Sequence, residues 1–285
     1  MTTATATTKA PDSEPTPPSP KQGEDEGRIG LRANLRHIGA LVRRNALQIK
    51  QDPESMMDAL LMPIIFTLLF VFVFGGAIGP GGDRDQYTNY LMPGMMAMMG
   101  MNIAMAVGTG INEDFRKGVM DRFRSMPIAR SSVLIAKVAV EICRMLIAIV
   151  VLLTVGFLVG LDIEGRWLEM LAAIGLTTIF GASLVWIFML LGLTMRTAQA
   201  VQGVSFLILM PLQFGSSVFV PVGTMPGWLK AFTDVNPLTH VADASRGLML
   251  GEGAIASPAM WTVIWAVGLT AVVAPIAINK FRKKT

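Results

Sequence analysis

The amino-acid sequence predicts an all-α integral membrane protein with six transmembrane helices. Three observations carry this. Hydrophobic residues make up 52% of the 285 and charged residues only 15%, with a mean hydropathy of +0.54; a soluble domain carries roughly 25% charge. Six apolar stretches are each long enough to cross roughly 30 Å of hydrocarbon. The basic residues fall almost wholly on the loops of one side, as cytoplasmic loops require. The sequence pI of 9.4 therefore points to a membrane surface and not to nucleic acid, because the positive charges flank apolar spans.

The elements follow in chain order. Residues 1–27 run through Thr, Pro, Ser, Glu and Asp without an apolar core, which predicts a disordered cytoplasmic tail and not a signal peptide. Residues 28–285 form the membrane domain. It opens with residues 31–50, where Leu31, Leu35, Ile38, Val42, Ala46 and Ile49 recur every three or four positions. Arg32, Arg36, Arg43, Arg44 and Lys50 occupy the remaining surface. This is the pattern of a basic amphipathic helix lying on an anionic leaflet.

The six spans are expected at about 59–79, 90–111, 131–161, 170–195, 200–220 and 259–278. The first two are free of charge. The third would be about 46 Å long at 1.5 Å per residue, well beyond the hydrocarbon core. Its first turns carry Lys137, Glu141 and Arg144 on one face. Either it projects into the cytoplasm for several turns, or it holds a buried functional ion pair. The fifth span is polar and kinked, with Gln202, Pro211 and Gln213.

Placing the N-terminus inside leaves only Arg84, Arg166, Lys230 and Arg246 of the 24 basic residues outside. An odd number of spans would export Lys280, Arg282, Lys283 and Lys284, so both termini are expected in the cytoplasm. The single cysteine, Cys143, permits no internal disulfide. The glycine pairs Gly75/Gly79 and Gly156/Gly160 are candidates for close helix packing.

Between spans two and three, Phe115, Val119 and Phe123 recur every fourth residue. Asp114, Lys117, Asp121 and Arg124 lie elsewhere on the wheel, and Pro127 ends the helix. Such a helix folds back onto lipid or presses into a groove on a soluble partner; its composition alone does not choose.

The segment GVMDRFRSMPIAR resembles the signature of ABC type-2 exporter permeases, in particular the daunorubicin/doxorubicin-resistance-like branch. The residues that carry the resemblance are Gly118, Asp121, Arg122, Phe123, Arg124, Ser125, Pro127 and Arg130. Met225 to Leu229, Asn236-Pro237-Leu238-Thr239 and Arg246-Gly247-Leu248 are similar to the pattern before that family's last span. The resemblance implies that residues 112–125 form a cytoplasmic coupling helix that receives motion from an ATPase. Its contact set would be Glu113, Asp114, Phe115, Arg116, Lys117, Val119, Asp121, Arg122, Phe123 and Arg124. Residues 31–50 would be the interfacial connecting helix, and residues 222–257 a re-entrant helix pair closing the outer end. It further implies two copies of the permease in a bacterial plasma membrane, above two ATPase subunits. Those subunits would bind ATP and Mg, and this chain would hold no cofactor.

Cargo candidates come from two spans. Span two carries Met92, Met95, Met96, Met98, Met99, Met101 and Met105. Thioethers suit surfaces that accept varied apolar ligands, but also fill helix contacts. Met92, Met95 and Met99 share a stripe. Gln202 and Gln213 of span five are costly in lipid unless they face protein or a wet path. These five residues form the expected pathway for an amphipathic drug, secondary metabolite or lipid-like cargo. His240, Asp243 and Arg246, three residues apart, are placed to pair, but one His beside one ion pair does not make a proton relay.

No phosphate-binding loop, zinc-protease motif or nucleophile elbow occurs. No catalytic or metal-binding residue is expected, and energy must come from a separate protein or an ion gradient. A gradient-driven secondary transporter would need acidic residues or broken helices at mid-membrane, and the centres of these spans hold no Asp or Glu. A non-transporting membrane sensor partnered with an ATPase remains the other alternative.

Overall fold

The computed structural model describes residues 53–78, 83–118 and 130–284. The tail 1–27, the amphipathic segment 31–50 and the signature residues Val119, Asp121, Arg122, Phe123 and Arg124 lie outside the described residues. The described chain is helical without strands. We label its helices in order. Helix α1 comprises Pro53–Leu69, a π-helical turn Phe70–Phe74 and Gly75–Ile78. It is followed by α2 (Arg84–Arg116), α3 (Arg130–Val159), α4 (Trp167–Thr194), α5 (Ala198–Phe214), α6 (Gly227–Val235), α7 (Pro237–Leu250) and α8 (Ala256–Lys284). Five of these, α1 to α4 and α8, are long and apolar enough to cross a membrane.

Helix α2 is the axis of the bundle. Its apolar window is 83% buried within the protein, against 22% for α1 and for α8. It packs most extensively on α4. Gly100 faces Gly181, and Gly108 faces Phe188 and Gly192, so both numbers rise together and the two helices run in the same direction. A side chain at Gly108 would come 2.6 Å from the Phe188 carbonyl oxygen, and one at Gly192 would collide with the Gly108 carbonyl. Between helices in lipid there is no hydrophobic drive, so close backbone packing at small residues supplies the contact energy. The sequence reading missed this seam. Of the glycines it named, Gly156 seats Met92 of α2, Gly160 turns the chain at φ 112°, Gly75 abuts Arg84, and Gly79 lies outside the described residues.

The bounds of two expected spans change, and one ion pair crosses between helices. Span two, expected at 90–111, is a 33-residue helix of about 50 Å. It continues to Arg116, so Glu113 to Arg116 form its last turn and do not open a separate helix. Asn112 is the physical reason: its amide donates to the carbonyls of Gly192 (3.0 Å) and Met195 (2.8 Å) at the end of α4, holding the last turns of α2 in register. Lys117 then caps α2 and Gly118, at φ 68°, turns the chain away.

Span five, expected at 200–220, ends as a helix at Phe214 and is only 17 residues long. The Asn236 amide takes the carbonyls of Leu212 (2.8 Å) and Gly215 (2.9 Å), and the Thr233 hydroxyl donates to Gly215 (3.2 Å). Side chains thus satisfy carbonyls that a helix end leaves orphaned. Lys137, on the same face of α3 as Glu141, reaches Asp114 of α2 at 2.8 Å, and Glu141 lies 3.3 Å from Arg144.

Candidate functional site

Two polar assemblies lie at the two ends of α2. One end is basic. There the last turns of α2, α4 and α8 meet the first turn of α5. Asn112 ties α2 to α4, and Lys284 donates to the Leu193 carbonyl at 3.1 Å and lies 4.8 Å from the Phe115 ring centre. Phe115 packs edge-on against Phe281 of α8 at 5.8 Å. It is half-buried within the bundle, and Phe123 lies outside the described residues.

Thr109, Glu113, Arg116 and Lys117 of the α2 end and Ala198, Gln199 and Gln202 of α5 line a cleft of about 650 Å³, within the range of small-molecule sites. Lys117 and Glu113 pair at 3.1 Å on its rim. The cleft joins residues expected to serve two purposes, because Gln202 came from the cargo set and Glu113, Arg116 and Lys117 from the coupling set. Asp114 lies off the cleft, paired with Lys137.

From Gln202 the exposed face of α5 continues through Gly203, Phe206, Leu207, Met210, Pro211 and Phe214 as an apolar groove. Their spacing of three and four residues places them on one helical face. Gln213 sits on the other side, half-buried, with its amide 3.5 Å from Asn102 Oδ1.

The methionines divide differently. Met92, Met95 and Met99 are 0% exposed and belong to the central core with Met96. They fill the contacts of α2 with its neighbours, the packing use of a flexible thioether.

At the opposite end lies a polar cluster that the sequence reading found only in part. Arg246 of α7 is 8% exposed. It donates to Asp243 Oδ1 at 2.6 Å, to the Tyr90 carbonyl at 3.1 Å and to the Ser217 carbonyl at 3.0 Å. Its guanidinium lies 3.8 Å from the Tyr90 ring centre, a cation–π contact strengthened by burial. Tyr90 donates to the Ser217 carbonyl (2.6 Å), Ser217 to Asp243 (2.7 Å) and Tyr87 to the Phe219 carbonyl (3.1 Å). The Asp243–Arg246 spacing was legible as i,i+3, whereas Tyr87, Tyr90 and Ser217 come from distant chain segments and gave no signal. His240 stacks on Trp261 of α8, with ring centres 6.0 Å apart. Helix α5 with residues 215–219 therefore runs from the cleft beside Glu113 to the level of Tyr87 and Tyr90.

Comparison with known proteins agrees with this architecture. Residues 36–250 match the family model described as ABC-2 type transporter. The chain is 34% identical over 252 residues to the daunorubicin resistance ABC transporter permease protein DrrB1 of Streptomyces coeruleorubidus, covering 88% of this chain and 87% of that one. It is 24% identical to the probable doxorubicin resistance ABC transporter permease protein DrrC of Mycobacterium tuberculosis, over 82% of this chain and 84% of the relative. The probable multidrug ABC transporter permease YbhR of Escherichia coli is 23% identical over 70% of this chain and 54% of its own length. A multi-pass helical bundle matched over most of its length by one family model belongs to that family: this chain is a member of the ABC-2 type transporters, the transmembrane permease subunit of an ABC exporter.

Proposed function

We propose that the chain exports an amphipathic small molecule (a drug, secondary metabolite or lipid-like compound) across a bacterial plasma membrane, powered by ATP and Mg bound to a separate ATPase subunit. The observation that carries this is the cleft at the basic end. It sets charged and amide side chains beside the exposed apolar face of α5, so a polar head and an apolar body find complementary surfaces along one helix.

In this reading the basic end faces the cytoplasm, following the positive-inside rule. Helix α5 with residues 215–219 serves as a sixth crossing, and α6 and α7 are a re-entrant pair at the outer end. The coupling surface is formed by Glu113, Asp114, Arg116 and Lys117 together with Val119, Asp121, Arg122, Phe123 and Arg124. Phe115 contributes from beneath by fixing the α2 end on α8. Two permease copies and two ATPase subunits make the working assembly. Cargo meets Gln202 directly and Gln213 after a small adjustment, whereas Met92, Met95 and Met99 touch it only after α2 parts from its neighbours.

The test is co-purification with the ATPase subunit, reconstitution into liposomes and measurement of ATP-dependent doxorubicin movement and hydrolysis over a panel of amphipaths. We expect at least one amphipath to stimulate hydrolysis and to move only with ATP. A complex that hydrolyses ATP but neither moves nor responds to any of them would leave a membrane sensor as the better account.

A further inference from the structure

We propose that Lys137 is a positioning residue for transport: its ion pair with Asp114 clamps the adjoining ends of α2 and α3, so that both move as one body when the connection between them is displaced. The proposal rests on reading that connection as the ATPase-facing element. Helix α2 ends at Arg116 and α3 begins at Arg130. Asp114 lies one residue pair before the exit and Lys137 two turns after the return, so their bridge closes the stem of the connection.

Three observations single out this pair. Lys137 has a closer candidate in sequence, Glu141 on its own helix, yet its hydrogen-bonded ion pair crosses to Asp114 of α2 at 2.8 Å, while Glu141 lies 3.3 Å from Arg144. An i,i+4 pair within α3 would stiffen one helix; the observed pair joins two. The ammonium also lies beside Gly110. A Cβ there, one turn before Asp114, would stand 4.0 Å from Lys137 Nζ, at ordinary contact distance, so only a larger side chain would crowd the lysine. Finally, the pair is half-shielded, at 22% and 36% side-chain exposure, where screening by salt is weaker than at a free surface. Without it, displacement of the connection is absorbed by splaying at Gly118, whose φ of 68° already makes it the bend.

The test measures the distance between spin labels on α2 and α3, using Ala106→Cys, an exposed position, and the native Cys143, which is also exposed. In lipid nanodiscs the otherwise unaltered chain should give one narrow distribution. Lys137→Met should broaden it about twofold, Gly110→Leu should do so without altering a charge, and the swap Asp114→Lys with Lys137→Asp should narrow it again. With the ATPase subunit and a non-hydrolysable ATP analogue, the parent should move as a single peak and Lys137→Met should split. Equal widths in parent and Lys137→Met, or a swap that does not restore the width, would overturn the clamp. Loss of ATPase association in Lys137→Met would also overturn it, by making Lys137 a docking residue. If the ATPase subunit does not bind the parent, the coupling reading falls, and the widths measured on the chain alone still decide the clamp.

Discussion

Single residues decide how tightly this bundle closes. At Gly192 any side chain meets the backbone of Gly108, so neither partner can yield by changing rotamer. Gly192→Leu should cost about 3 kcal/mol or more, the upper range for overpacking, and should appear as a lost monodisperse peak or a lowered Tm in detergent. Gly203→Leu, on the open face of α5 with nothing within 4 Å, should leave Tm within about 1 °C, as surface changes usually do. Arg246→Ala removes the shared donor for Asp243 and for the carbonyls of Tyr90 and Ser217. Asp243 is 37% exposed and can rehydrate, and the Ser217 carbonyl keeps its bond from Tyr90, so the loss is about 1–2 kcal/mol. Arg246→Lys should recover part of it, since a lysine keeps the charge without the planar fork. Thermal unfolding of the two variants side by side reads the difference. The Asp243–Arg246 spacing was legible from sequence, whereas Gly192 was not legible as a packing residue. The sequence offers many glycines, and only the crossing of α2 over α4 selects those with no room for a Cβ.

At the scale of elements, the most informative departure is α5. Composition read it as a polar, kinked crossing of 200–220, and its polarity and Pro211 are where they were expected. Its length is not, because Asn236 and Thr233 from the following segment take over its terminal carbonyls. Asn236 also caps α7 by accepting from the Leu238 N–H at 3.0 Å, so one side chain ends one helix and starts another. Asn236→Ala should therefore destabilise by about 2 kcal/mol, a cap together with two carbonyl bonds. Hydrogen exchange should rise at residues 213–218 and 238–240 ahead of the rest of α7. Uniform exchange across α7 would show that the cap does not govern this joint. Helix α2 makes the complementary point. Hydropathy ended it at 111 because Asn112, Glu113 and Asp114 are polar, but hydropathy measures affinity for lipid and not continuity of the backbone. The Asn112 amide nitrogen donates to carbonyls of α4 and Asp114 pairs with Lys137, so the helix runs on.

The whole molecule is organised around a polarity between its ends. The basic end carries the cleft and the ion pairs of the α2–α3 connection, and the opposite end carries the Arg246 cluster. With Cys143 replaced, a membrane-impermeant maleimide should label Glu252→Cys in intact cells, and Lys283→Cys only after lysis; both positions are exposed. The reverse pattern would invert the orientation and move the cleft outside. The sequence by itself determined the solvent of this protein, its helical class, the asymmetry of its charge and its family, because each depends on composition along a continuous stretch or on a short motif. Tertiary structure alone decided which methionines are core, that Lys137 reaches Asp114, that Gln202 shares a cleft with Glu113, and that Tyr90 and Ser217 enclose Arg246. Those pairings join segments from 23 to 156 residues apart. Local periodicity has no access to such separations; only the close crossing of α2 with its neighbours brings them together.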